Sequence, residues 1–358
     1  MLYFETFLST SLRRSLRVSL LFICLVAGFA GFRAGHAEAH VKWFAPFEVA
    51  GQPRVIEKVL STDFVALSLL ALALMVLGCI LDRTALGEMI SRSLDRVTAA
   101  VRANEDIAVR ATCAFFLVAV WTIGGTLLTP ELKTSALWVP QLQLAMAATL
   151  LTRRTAWMAG VGIIVLYAVS VRQYGIFHLL DYPIFLGVAL YLIARSVPRA
   201  LPFAIRPLDL LRWSASITLM WASVEKWAYP EWTLPMFIQH PELSMGYDFE
   251  LFMRAAGVIE FTLAFALIGP SLVRRASALV LLGMFLSATA EFGKLDVIGH
   301  SVIVAVLLVI SADAKRAAPQ VKMWRRVAVP AMAYTAALVT SLSLYYGMHA
   351  ILFGTTIT

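Results

Sequence analysis

Hydrophobic positions in this chain come in unbroken runs of about 17 to 22 residues separated by short polar segments, not at the one-face spacing of soluble helices. The runs predict spans near 62–81, 109–128, 136–152, 155–171, 176–194, 208–228, 249–268, 277–293, 296–312 and 327–350. A shorter apolar segment, Val18 to Phe32, precedes them. Lipid offers backbone groups no hydrogen bonds, so spanning elements are helices or closed barrels, and the alternation of a barrel strand is absent. The pattern predicts an all-α polytopic membrane protein of about 10–11 transmembrane helices.

The first apolar segment follows Arg13, Arg14 and Arg17 and runs into Ala37-Glu38-Ala39, a small-x-small signal-peptidase pattern. Residues 1–39 therefore read as a signal peptide or as an uncleaved signal anchor. Residues 40–61 read as an extracytoplasmic segment. The stretch 62–108 holds one span and an amphipathic surface helix with interleaved acids and arginines, and 327–358 holds a last span.

Composition agrees: 60% of the 358 residues are hydrophobic, 15% are charged, and mean hydropathy is +0.80. A formal charge of +8 raises the possibility of nucleic acid, but Arg and Lys gather in alternate connections such as Arg153-Arg154, Arg195 to Arg206 and Arg274-Arg275. That placement is topology information, not a phosphate-binding patch. It puts the N-terminus in the cytoplasm before any cleavage and the C-terminus in the periplasm of a bacterial inner membrane. Cys24, Cys79 and Cys113 lie inside apolar segments without CxxC spacing, so no disulfide framework is expected.

The two halves align. Trp121 with Pro130-Glu131 matches Trp221 with Pro230-Glu231, and Arg153-Arg154 matches Arg274-Arg275. The turns VRQYGIFHLLDYP and AEFGKLDVIGHSV then set Arg172 opposite Glu291 and Asp181 opposite His300. Each copy holds four spans, an even number, so 109–195 and 208–312 read as two parallel four-helix repeats.

Arg212 opening a helix, Glu225-Lys226 near its outer end before Pro230, and RAAGVIEFTLAFALIGPSLVRRASALVLLGM resemble the DoxX-like family of four-helix membrane proteins from Arg212 to about Ile310. The first repeat would be a degenerate copy, with Gly125 where the second has Glu225. The resemblance implies membrane redox chemistry, including quinone-coupled thiosulfate oxidation, and accessory roles beside periplasmic oxidoreductases.

Ionisable residues inside a membrane are functional candidates by default. Glu225, Lys226, Glu260 and Glu291 are candidates for proton or quinone handling. Glu260, near the bilayer midplane, requires protonation or a partner from a neighbouring helix, with Glu225, Lys226 and Lys294 nearest. His178 with Asp181 and Asp296 with His300 have the three- and four-residue spacings that set a carboxylate beside an imidazole. With His40 they form a candidate periplasmic set for copper or another transition metal. Cleavage after Ala39 would give His40 a free amine, resembling the N-terminal histidine of CopC-type copper-binding proteins. The structural alternative makes these oriented histidines, a neutral acid and an exposed linker.

No P-loop, Rossmann glycine motif, nucleophile elbow, HExxH or CxxCH occurs. Two functions remain: a redox-associated inner-membrane subunit meeting quinone, metal or a periplasmic partner, and a transporter or copper-homeostasis protein.

Overall fold

The computed structural model describes residue 42 and residues 47–197, 205–239, 241, 246–314 and 322–355. Among these the chain is helical, with one isolated bridge, Thr126 to Lys133, in place of any strand. The longer helices are α1 (Thr62–Leu81), α2 (Ala85–Val97), α3 (Glu105–Ile123), α4 (Trp138–Thr149), α5 (Ala156–Tyr174), α6 (Pro183–Ser196), α7 (Pro207–Ala228) and α8 (Phe249–Ala266). The helical run Ser271–Ser311 supplies α9 before Gly293 and α10, Gly293–Ser311, after it; α11 is Met323–Phe353. Five helices, α1, α3, α5, α10 and α11, are long and apolar enough to cross a membrane. Helices α7 and α8 have the length but carry Asp209, Arg212, Glu225 and Lys226, and Glu250, Arg254 and Glu260.

A continuous helix would hold Arg275 and Ser311 about 54 Å apart at 1.5 Å per residue. Instead Arg275 Nε donates to Ser311 O at 2.8 Å. The chain therefore reverses at Gly293, whose φ of 80° and ψ of −158° are accessible essentially to glycine alone. Gly175, between α5 and α6, has nearly the same φ of 84° with ψ of 155°.

Arginines fasten one end of the bundle. Arg110 Nη1 donates to Leu150 O (2.6 Å) beyond α4, and Arg153 Nε to Arg195 O (2.7 Å) at the end of α6. Arg212 donates to Leu267 O and Ile268 O beyond α8, both at 3.2 Å. The last carbonyls of a helix have no partner within it, and each of these three helices, like α10 with Arg275, receives an arginine from a neighbour. Arg275, 0% exposed, also donates to Asp95 Oδ1 at 2.7 Å and Thr98 Oγ1 at 3.1 Å, clamping the amphipathic α2 across this end. Asp82, just after α1, caps the start of α9 by accepting from Leu272 N at 2.7 Å.

Between these ends the helices approach closely through small residues. A Cβ on Gly187 of α6 would meet Ser214 Oγ of α7 at 1.8 Å, and one on Gly257 of α8 would meet Trp227 Nε1 of α7 at 2.2 Å. Helix α7 is the hub, burying Leu211, Ala215 and Leu219 in the core shared by α3 to α10, and Trp221, Val224 and Trp227 in a second core with α1, α8 and α11.

Two expected spans end differently. The run 109–128 stops as helix at Ile123, because Gly124 and Gly125 adopt φ of 72° and 58°. Residues 126–132 then form a loop packed into the protein, held by Gln143 Nε2 donating to Thr126 O and Leu127 O. Irregular backbone is tolerated at such depth only where protein surrounds it. Helix α4 is correspondingly short, about 18 Å against a hydrocarbon core of about 30 Å.

Gly175→Ala and Gly293→Ala should each lower stability by about 1–3 kcal/mol, since a Cβ at either meets no atom within 4 Å and the penalty lies in the backbone alone. Gly283→Ala, in the interior of α9 and equally open, should leave stability unchanged or raised. Thermal unfolding of the detergent-purified protein, followed by circular dichroism, checks all three.

Candidate functional site

The end opposite the arginines is built from the hub helix outward. The segment before α1 docks on it: Arg54 N donates to Ala228 O at 2.8 Å, and Tyr229 Oη donates to Gly51 O at 2.6 Å. Arg54 Nη2 also reaches Glu231 Oε1 at 2.9 Å, and its guanidinium pairs with Glu250. The same N-terminal segment delivers Lys42, 4% exposed, to the centre of this end. Lys42 Nζ donates to Asp181 Oδ2 and, at 2.7 Å, to Glu225 Oε1. It also lies over the rings of Trp232 and Phe47, 5.4 and 5.7 Å from their centroids. Burial disfavours the ammonium, but Asp181, Glu225 and Glu131 outweigh it and hold Lys42 above the ordinary lysine pKa.

Below and beside Lys42 lies a cavity of about 330 Å³ enclosed by α6 to α10, the packed α3–α4 loop and the segment after α7. Tyr182, Phe185, Tyr229, Trp232, Phe237 and Phe285 are among its walls. Its ionisable groups come from three stations. Lys42, Asp181 and Glu225 form the first. Lys226 and Glu260 form the second, with Nζ 2.7 Å from Oε2. The third is His300, whose Nδ1 lies 3.0 Å from Asp296 Oδ2 of the fully buried Asp296 carboxylate.

This geometry sorts the residues expected from sequence. Glu225, Lys226, Glu260, Asp181 and His300 meet at one cavity. Glu260 finds its partner in Lys226, not in Lys294 or Arg254. Asp296 and His300 pair as their four-residue spacing predicts. His178 and Asp181 do not pair with each other. The helix turn Ile176–Leu179 ends before Asp181, and His178 instead contacts Glu131 Oε1 at 3.3 Å, while Asp181 holds Lys42. Tyr182 also donates to Glu131. Among the described residues, no three of His, Cys, Asp and Glu gather as a metal would require. His40 and the side chain of Glu291 lie outside the described residues.

Lys42, Glu131 and Thr129 were not singled out from the sequence as site residues. The available signal for Lys42 is its place among the few basic residues on the side that the positive-inside rule leaves poor. Glu131 stood only as a marker of the repeat. Thr129 carries no sequence signal at all.

The chain matches no family model, no curated protein and no solved structure.

Removing one partner of a buried ion pair strands the other charge, so Lys42→Met should destabilise the protein by about 3–5 kcal/mol. Adding Asp181→Asn and Glu225→Gln should recover most of that loss. A folded pKa above the unfolded value means that Lys42's contribution is complete below the unfolded lysine pKa near 10.5 and is lost only as pH rises through the higher folded value. The stability difference between wild type and Lys42→Met, measured by denaturant unfolding in detergent, should not shrink between neutral pH and about 10.5, and should shrink only above it.

Proposed function

We propose that this chain is a redox-associated subunit or accessory factor of the bacterial inner membrane, whose periplasm-facing cavity binds the headgroup of a quinone-class molecule. The cavity carries this reading. Its volume, about 330 Å³, falls in the range of small-molecule sites. Its aromatic and aliphatic walls suit a flat ring, and its few polar groups suit oxygen substituents. The ionisable pairs, Lys226 with Glu260 and Asp296 with His300, stand where protons could be exchanged with such a ligand. The DoxX-like features of Arg212 to about Ile310 point to the same chemistry.

The metal form of the reading has less support, because His178, Asp181 and His300 each engage a different neighbour. Orientation follows from the arginine end: Arg110, Arg153, Arg212 and Arg275 all lie there, and the positive-inside rule assigns that end to the cytoplasm. The cavity then faces the periplasm.

The same arginines support two four-helix units, α3 to α6 and α7 to α10. In each unit an arginine in the first helix caps the second, and an arginine at or just before the start of the third helix caps the fourth. Pairing the reversal glycines Gly175 and Gly293 shifts the sequence alignment by one position. His178 then stands opposite Asp296, and Gln173 opposite Glu291, replacing the pairings of Asp181 with His300 and Arg172 with Glu291.

Organic extraction of the full-length protein, followed by chromatography, should recover a quinone-class molecule. Ala222→Trp, which fills the cavity from the face of α7, should lose it while the protein still folds. A preparation that carries no quinone and does not bind an added short-chain quinone would refute the reading.

A further inference from the structure

Two buried oxygens in the cavity wall, both able to accept, are left without a hydrogen-bond partner among the described residues. Lys42 has committed two of its three N–H groups to Asp181 Oδ2 and Glu225 Oε1, and it lies over two aromatic faces. Tyr182 donates to Glu131, and Tyr229 to Gly51 O. In contrast, Asp181 Oδ1 has no hydrogen-bond partner among the described residues, on a residue only 6% exposed in the cavity wall. Thr129 Oγ1, on a residue 2% exposed in the same wall, has none among them either. A carboxylate oxygen accepts and never donates, and burying it without a donor is unfavourable.

We infer that this cavity selects a ligand whose polar end donates hydrogen bonds, an aryl hydroxyl such as that of a hydroquinone, over a carbonyl-ended quinone. Asp181 Oδ1 accepts the ligand's O–H, and the Thr129 hydroxyl makes a second hydrogen bond to the same end. The apolar ring then lies against the aromatic walls. The inference rests on the ligand class proposed above and adds its oxidation state at binding. A carbonyl-ended ligand in that position would face Asp181 Oδ1 acceptor to acceptor and leave it unpaired.

The test uses the full-length protein in lipid nanodiscs under anaerobic conditions, with three probes sharing one short alkyl chain: a hydroquinone, its bis-methyl ether and the corresponding quinone. Affinities come from equilibrium dialysis. The hydroquinone should bind at least about tenfold more tightly than either of the others, the range expected for a hydrogen bond to a charged group. Asp181→Asn should reduce that preference to within about threefold. Because this substitution also weakens the hold on Lys42, Thr129→Val provides a variant that leaves every charge in place. It should lower hydroquinone affinity by about threefold and leave the ether unchanged. Equal affinity for all three probes, or tightest binding of the quinone, would overturn the inference while leaving the quinone-class cavity intact. Failure of all three to bind would overturn that cavity reading and the inference with it.

Discussion

The bundle depends on how four helices end. A helix that stops near a membrane surface leaves its last carbonyls without partners inside the helix, and each bare group is costly in a water-poor setting. Here the carbonyls of Leu150, Arg195, Leu267 and Ser311 are met by Arg110, Arg153, Arg212 and Arg275. Each arginine sits at or near the start of the helix preceding the one it caps. The same contact therefore closes a helix end and fixes its neighbour as antiparallel and level with it. Arg275 extends the arrangement to α2 through Asp95 and Thr98, so the surface helix is tied to the bundle by the same residue that closes α10.

With one end fastened in this way, the other end can hold groups that do not close helices. Charges are placed there at positions where lipid would penalise them, and each is compensated locally: Lys42 by Asp181 and Glu225, Lys226 by Glu260, and Arg54 by Glu231 and Glu250. Buried pairs of this kind add little net stability over apolar replacements, because desolvation offsets their attraction. Stability alone does not account for several such groups opening onto one aromatic-walled space; the proposed ligand site would.

The helical character of the apolar runs and the amphipathic helix were legible because long apolar runs and a mixed-charge amphipathic stretch have few other physical solutions. The prediction of 62–81 coincides with α1, and the two runs flanking Gly293 became α9 and α10. Legibility failed where backbone conformation overrode hydrophobicity. Leu127 and Leu128 read as the end of a span, yet Gly124 and Gly125 had already turned the chain, and the leucines are buried in a loop. It failed again at His178 and Asp181, where three-residue spacing implies a shared face only if the helix continues. The candidate acids themselves were visible as ionisable residues in apolar runs. Their partners were not, since Lys42 is 139 residues from Asp181 and 183 from Glu225, and no periodicity encodes contacts at that distance.

Lys42 also separates the question of the leader from that of the site. Processing after Ala39 would make Lys42 the third residue of the mature chain, and a buried ion pair would then anchor a free end, where ordering the backbone is most expensive. The anchoring does not rest on Lys42 alone. Gly51 O accepts from Tyr229, Arg54 N donates to Ala228 O, and Arg54 O accepts from Tyr346, so the segment is strapped to α7 and α11 before it reaches α1. Those backbone contacts restrict where residue 42 can lie, and that restriction lowers the entropic penalty of seating its ammonium between Asp181 and Glu225. The site therefore has the same geometric basis with a cleaved leader or with a retained anchor. The two cases differ in charge: a new α-amine two residues before Lys42 would bring a second cation toward a pair of carboxylates that already share one.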